Sequence, residues 1–212
     1  GAERECKRAV ELDPNSFLAR EIYSRCLWTL NRFDEAITEV KIAIDLQPTS
    51  LFSQRNYGIS LFYARRYSEA VQQFKRVSEV DPNFVANYAW YVPALMVHGS
   101  EAEAFERFIE WQTILNADEI TLGDYKRAYQ DSGWRGIGRE RIKRFDDAKV
   151  RSYFLEACLI VHTGNKDKTF EYLEKSLQRR EWGIPFLRID PSLDAIRGDP
   201  RFDDLVRRVV AR

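Results

Sequence analysis

The sequence is short of the residues from which active sites are usually assembled. Of its 212 residues, three are cysteine, two are histidine and one is methionine. Cys6, Cys26 and Cys158 are odd in number and widely spaced, which suits a reducing compartment and offers no disulfide framework. None of them adjoins an obvious base, so core packing is the expected role. His98 and His162 stand 64 residues apart with no cysteine or carboxylate at ligand spacing, which excludes a metal site built on them. Both fall near a helix end, where surface exposure or a dipole contact is expected. No stretch approaches the ~20 apolar residues needed to cross a bilayer. Net charge is absent too: 33 basic residues balance 33 acidic ones, leaving no overall field to steer the chain toward nucleic acid or an anionic membrane. The one glycine-rich stretch, Gly133 to Gly138, follows no strand and lacks a Gly-Lys-Ser/Thr ending, so it reads as a helix-breaking turn. No nucleophile–base pair can be assembled. An enzyme is therefore not expected, nor a cofactor or a metal.

What the chain does have is a period. Pro14, Pro48 and Pro82 are each 34 residues apart, in the phrases Glu11-Leu12-Asp13-Pro14, Asp45-Leu46-Gln47-Pro48 and Glu79-Val80-Asp81-Pro82. Ala2, Ala36, Ala70 and Ala104 run at the same interval. Two ladders at one period predict an all-α stack of two-helix units, each burying its apolar face on the next. Residues 1–12 read as the second helix of a unit, so a truncated N-terminus is expected; no signal peptide opens the chain, and a cytoplasmic location is expected. Complete units follow at 17–50 and 51–84 and a decayed copy at 85–118, then an atypical helical pair at 119–147, a further unit at 150–183 and a cap at 184–212, as one continuous solenoid.

Local signals place the elements. Ser16 and Ser50 can cap entering helices. Ile22, Tyr23, Cys26, Leu27 and Leu30 mark the expected buried face of the first complete unit, and Asn31-Arg32 its turn. Ala36 sits where two helices cross closely, and Gly58 and Ala70 recur as small contacts. Pro93, in the third turn of its helix, predicts a kink. Asp131-Ser132-Gly133 divides the 119–147 stretch into a helix with Leu122, Tyr125, Ala128 and Tyr129 and one with Trp134, Ile137, Ile142 and Phe145. Asp190-Pro191 and Asp199-Pro200 each start a helix, with aspartate capping and proline in the first turn. Asp203, Asp204, Arg207 and Arg208 give the last helix a polar outer face, as the open end of a stack requires.

Gly58, Tyr67 with Ala70, and Asp81-Pro82 resemble the tetratricopeptide repeat: a small eighth residue, an aromatic-x-x-Ala opening the second helix, and a closing Asp-Pro. Ser24 and Asn31 depart from that pattern with small or turn-compatible substitutes. Residues 186–202 and Tyr129 to Arg135 are similar to tetratricopeptide arrays of a bacterial group, fused to winged-helix regulators, kinases or cyclases. The resemblance implies a right-handed helical-hairpin solenoid acting as a non-catalytic protein-interaction scaffold within a larger bacterial regulatory protein. The partner would be a protein or peptide, or other domains of the parent chain.

In such repeats the first helices line a concave groove, which here would show Glu21, Arg25, Trp28, Arg55, Asn56, Ile59, Phe62, Tyr63, Trp90, Pro93 and Met96. Aromatics with arginines suit a peptide anchored by apolar side chains, although any single aromatic is also a candidate for packing between helices. Some family members clamp a partner's terminal carboxylate; of the residues that do so only Asn56 is matched, which disfavours that ligand. The alternative is nucleic-acid or anionic-ligand binding. Residues 1–118 carry a net −4 and residues 119–212 a net +4, and the stretch 125–151 holds nine basic against four acidic residues. Arg135, Arg139, Lys143 and Arg144 are the candidate anion contacts.

Overall fold

In the computed structural model, residues 1–144 and 152–210 are described, Val210 by its backbone alone. Phe145, Lys149, Val150 and Arg151, which figured in the helix, unit and basic-stretch expectations, lie outside the described residues. The chain forms two compact units, Gly1–Ala94 and Leu95–Arg212. About 80% of the described residues are helical, and they contain no strand.

The first unit holds α1 (Ala2–Leu12), α2 (Phe17–Thr29), α3 (Phe33–Leu46), α4 (Leu51–Tyr63), α5 (Tyr67–Val80) and the first part of α6 (Val85–His98). Consecutive helices pair as hairpins, and the sequence shows why each starts and stops. Ser16 and Ser50 accept from the backbone N–H groups of Ala19 and Ser53 at 3.3 and 3.2 Å, satisfying donors the first turn leaves free. Asp13 and Asp81 accept from Asn15 and Asn83, turning the chain at the Asp-Pro steps. Asn31 and Arg65, 34 residues apart, carry φ of 59° and 61° between the paired helices. Pro93 lies inside α6, which continues past it to His98.

The small-residue ladder is a ladder of close crossings. Ala36 and Ala70 are fully buried, and a Cβ on Gly58 would fall 2.6 Å from the Phe74 ring. Ser24, at the departing eighth slot, is also fully buried and donates its hydroxyl to the Ala36 carbonyl at 2.9 Å, so the polar atom is satisfied inside the crossing. Tyr23 and Leu27 are buried as expected, but Ile22 and Leu30 are 45% and 42% exposed and Cys26 is half-buried. The correction has a simple cause: the partners of α2 cover a narrower arc than its apolar residues span.

The second unit holds the rest of α6, then α7 (Glu101–Ile114), α8 (Glu119–Lys143), α9 (Tyr153–Ile160), α10 (Lys166–Arg179) and α11 (Pro200–Val210), with short 3-10 turns at Val161–Thr163, Ile184–Phe186 and Pro191–Ile196. Helix α8 is two helices joined at a break, Ser132 with φ −152° and Gly133 with φ 56° and ψ −143°, a conformation essentially reserved for glycine. The rest of the glycine-rich stretch corrects the reading of a simple turn. A Cβ on Gly136 would meet the Ala128 carbonyl at 1.9 Å, and one on Gly138 the Thr163 side chain at 2.4 Å. These two glycines are helical residues that let the second half of α8 lie against its neighbours.

Helix α9 is started from outside. The Glu181 carboxylate accepts from the N–H groups of Tyr153 and Phe154 and from the Ser152 and Ser176 hydroxyls, at 2.9–3.0 Å. Ala157, Thr169, Tyr172 and Leu173 are fully buried beyond it. Leu193, Ile196, Phe202 and Leu205 pack inward in the tail, while Asp203, Asp204, Arg207 and Arg208 face solvent.

Candidate functional site

Within the first unit, the residues expected to line a groove divide into two classes. Trp28, Phe62, Tyr63 and Trp90 are 3%, 0%, 2% and 7% exposed. They form a continuous aromatic stack: Tyr63 meets Trp28 edge-on at 5.6 Å and Trp90 edge-on at 5.7 Å, with Phe62 tilted against it at 6.1 Å. The Trp28 indole donates to Ser60 Oγ at 2.8 Å, and Ser60 donates to the Asn56 carbonyl at 2.9 Å. These rings are packing. Ile59 and Pro93 are buried with them.

The second class is polar and graded in exposure: Glu21 and Asn56 are buried, Arg55 is half-buried and Arg25 is exposed. Glu21 of α2 is mostly buried, and its carboxylate accepts from Asn56 Nδ2 at 2.5 Å and Ser53 Oγ at 3.3 Å. Asn56, the one residue matching a terminal-carboxylate clamp, is thus occupied by a carboxylate from its own chain. Arg55 donates to Asn56 Oδ1 at 3.0 Å while its guanidinium lies over the rings of Phe52 and Phe84, at 5.1 and 5.7 Å. Burial pulls the Arg55 guanidinium down to about 10, against the pull of Glu21 and with a further push from Arg25. Arg25 is exposed and makes no ion pair with a carboxylate among the described residues. On the same helix Leu18 and Ile22 are 54% and 45% exposed, and on α4 Phe52, beside Arg55, is 56% exposed. Leu18 and Ile22 are one helical turn apart on α2, and Phe52 stands 34 residues after Leu18, in the equivalent place on α4. Sequence reasoning missed these three; their slots are apolar and periodic, which alone does not separate surface from core. Met96, half-buried, belongs to the second unit.

Also missed was the meeting of two thiols in the first unit. Cys26 lies against Cys6 of α1; burial first, then the neighbouring thiol and its hydrogen bond, push the Cys26 thiol up to about 11. Both thiols are free.

In the second unit the basic stretch is not uniform. Lys143 pairs with Glu140 at 3.2 Å, and Arg144 with Glu140 at 2.8 Å and with Asp124. Arg141, just before them, holds Glu156 at 2.5 Å; burial alone would lower its guanidinium, and the Glu156 carboxylate instead holds it above its ordinary range. Arg135 and Arg139 are exposed and make no ion pair among the described residues. They line a cavity of about 640 Å³ with Lys166, at the start of α10, and Arg201 of α11.

The histidines differ from each other. His98 is exposed, and its Nδ1 lies 2.9 Å from Ser100 Oγ. His162 corrects the expectation of a surface or dipole role: its Nε2 is enclosed with no hydrogen-bond partner, and burial pulls the ring down to about 4. Cys158 is buried beside Asp190; burial, the Asp190 charge and a hydrogen bond to it hold the thiol far above its ordinary range. Among the described residues, no group of three His, Cys, Asp or Glu side chains could hold a metal ion, and no helix is long and apolar enough to cross a membrane.

No protein-family model matches the sequence. No curated protein matches it. Solved structures do. The crystal structure of MamA aligns over 85% of this chain and 88% of MamA, at 17% identity and a TM-score of 0.50. The structure of Naa15/Naa10 bound to HypK-THB aligns over 97% of this chain but only 30% of the matched chain, at 20% identity and a TM-score of 0.40. The MamA likeness bears on the fold, a tetratricopeptide-like array of helical hairpins.

Proposed function

We propose that the chain is a non-catalytic protein-interaction scaffold that holds an extended or helical peptide of a partner against the first-helix face of the first unit. Apolar contact comes from Leu18, Ile22 and Phe52, and charge from Arg25 and Arg55. Trp28, Phe62, Tyr63 and Trp90 serve behind that face as its rigid backing. The observation that carries this reading is the coexistence of exposed apolar residues at equivalent places in successive units with a sealed aromatic stack beneath them. A surface that need only be soluble has no use for a Phe and two aliphatics with an arginine that makes no ion pair. The two cations favour a ligand with an acidic residue next to its apolar anchor. The larger context, a bacterial regulatory protein, rests on the similarity of residues 186–202 and 129–135 to that group.

An extended nucleic acid is the weaker reading. It needs a run of cations along a surface, and Arg141, Lys143 and Arg144 already hold carboxylates.

Panning a random-peptide display library on the folded chain tests the proposal. Enriched peptides should carry an apolar residue flanked by Asp or Glu. Phe52→Ser and Arg25→Glu should each weaken their binding about tenfold or more while far-UV circular dichroism stays unchanged. Failure to enrich any such class, or binding indifferent to both variants, would refute it.

A further inference from the structure

The cavity in the second unit goes beyond the scaffold reading and does not depend on it. Four cations from three separate helices reach its wall: Arg135 and Arg139 from α8, Lys166 from α10 and Arg201 from α11. The one acid in the wall, Asp167, is held by Arg201 at 2.8 Å, and Arg201 also binds Asp199 at 2.8 Å. Arg135, Arg139 and Lys166 make no ion pair among the described residues, although the Lys166 charge reaches Asp199 and helps hold that carboxyl below its ordinary range. Arg135 and Arg139 are four residues apart on one helix face, where two like charges repel and cost stability. The arrangement is held in place: the missing Cβ of Gly138 lets α8 close on Thr163, and the Arg201 guanidinium lies over the Phe170 ring at 4.2 Å, which fixes its plane. The volume, about 640 Å³, is that of a small-molecule site.

We infer that this cavity binds a small phosphorylated molecule carrying at least two negative charges, with Arg135, Arg139 and Lys166 as its direct contacts and Arg201 as an oriented fourth. Planar guanidinium groups match phosphate oxygens in pairs, and two arginines and a lysine without a direct ion pair in one concavity suit a multiply charged anion. A longer nucleic acid fits less well, since the next cations along the chain, Arg141 and Lys143 of α8 and Arg144 just after it, are paired with carboxylates.

Calorimetric titration of the whole chain with inorganic pyrophosphate tests this, with a single-stranded oligonucleotide as the second arm. Pyrophosphate should bind once per chain and weaken as salt is raised. Arg139→Gln and Lys166→Gln should each lower the affinity about tenfold or more. Lys143→Gln, on the same helix outside the cavity, should leave it unchanged. Lys166 is exposed, so its variant tests the site even if an α8 variant folds poorly. No heat of binding, equal loss in Lys143→Gln and Arg139→Gln, or an oligonucleotide that binds more tightly than pyrophosphate would each overturn the inference.

Discussion

Trp28 separates packing from recognition. Its ring is 3% exposed, sits edge-on to Tyr63 at 5.6 Å and donates to Ser60 Oγ at 2.8 Å. Trp28→Ala removes a buried aromatic from between α2 and α4 and should cost about 3–5 kcal/mol of stability. Trp28→Phe keeps most of the apolar contact and loses the indole donor. Ser60→Ala loses the acceptor and also the hydroxyl's own bond to Asn56. The double-mutant cycle with Trp28→Phe should therefore return a coupling of about 1 kcal/mol, the net worth of one buried neutral hydrogen bond. Urea unfolding followed by far-UV circular dichroism measures all of these, read as a midpoint shift at constant slope. A cost below about 1 kcal/mol for Trp28→Ala would mean the ring is not packed, and the aromatic stack would lose its structural role.

Other perturbations test the second unit. Glu181→Ala leaves two N–H groups at the start of α9 and two hydroxyls without their acceptor, and should cost about 2–4 kcal/mol in the same unfolding assay, with Glu181→Gln costing less. Gly136→Ala drives a Cβ into the Ala128 carbonyl at 1.9 Å; backbone cannot swing aside as a side chain can, so the cost should reach the upper part of ~1–3 kcal/mol. His162, lowered from 6.5 to about 4, contributes stability that is full above 6.5 and is lost as pH falls through about 4. Asp190, raised from 3.8 to about 6 by burial, contributes stability that is full below 3.8 and is lost as pH rises through about 6. The two slopes oppose, so the contributions of these two groups should largely cancel across that window. Relative to the wild type, His162→Leu should then lose stability as pH rises through it, and Asp190→Asn should gain; equal pH profiles for the three proteins would contradict both burial assignments.

The repeat frame was legible because it is written locally. A capping serine, a small residue at a crossing and an Asp-Pro step act within a few residues of themselves, so Ser16, Ala36 and Pro82 announce their roles without reference to the rest of the chain. Burial is not local. Trp28 and Leu18 lie on one helix and both read as apolar; one is sealed and the other open because of what α4 places opposite them. The chemistry of the second unit was hidden for the same reason. Arg201 joins Arg135 only through folding, and Lys143 is silenced by Glu140 while Arg139, on the next turn back, is not. Gly136 and Gly138 look like turn residues until the Ala128 backbone pressed against the first and the Thr163 side chain against the second are seen.

The most direct measurement of the scaffold reading is hydrogen exchange of the whole chain with and without a peptide selected on it. Added protection in α2 and α4, with α3 and α5 unchanged, is the predicted footprint. Protection confined to the second helices of the hairpins, or none in the first unit, would contradict it.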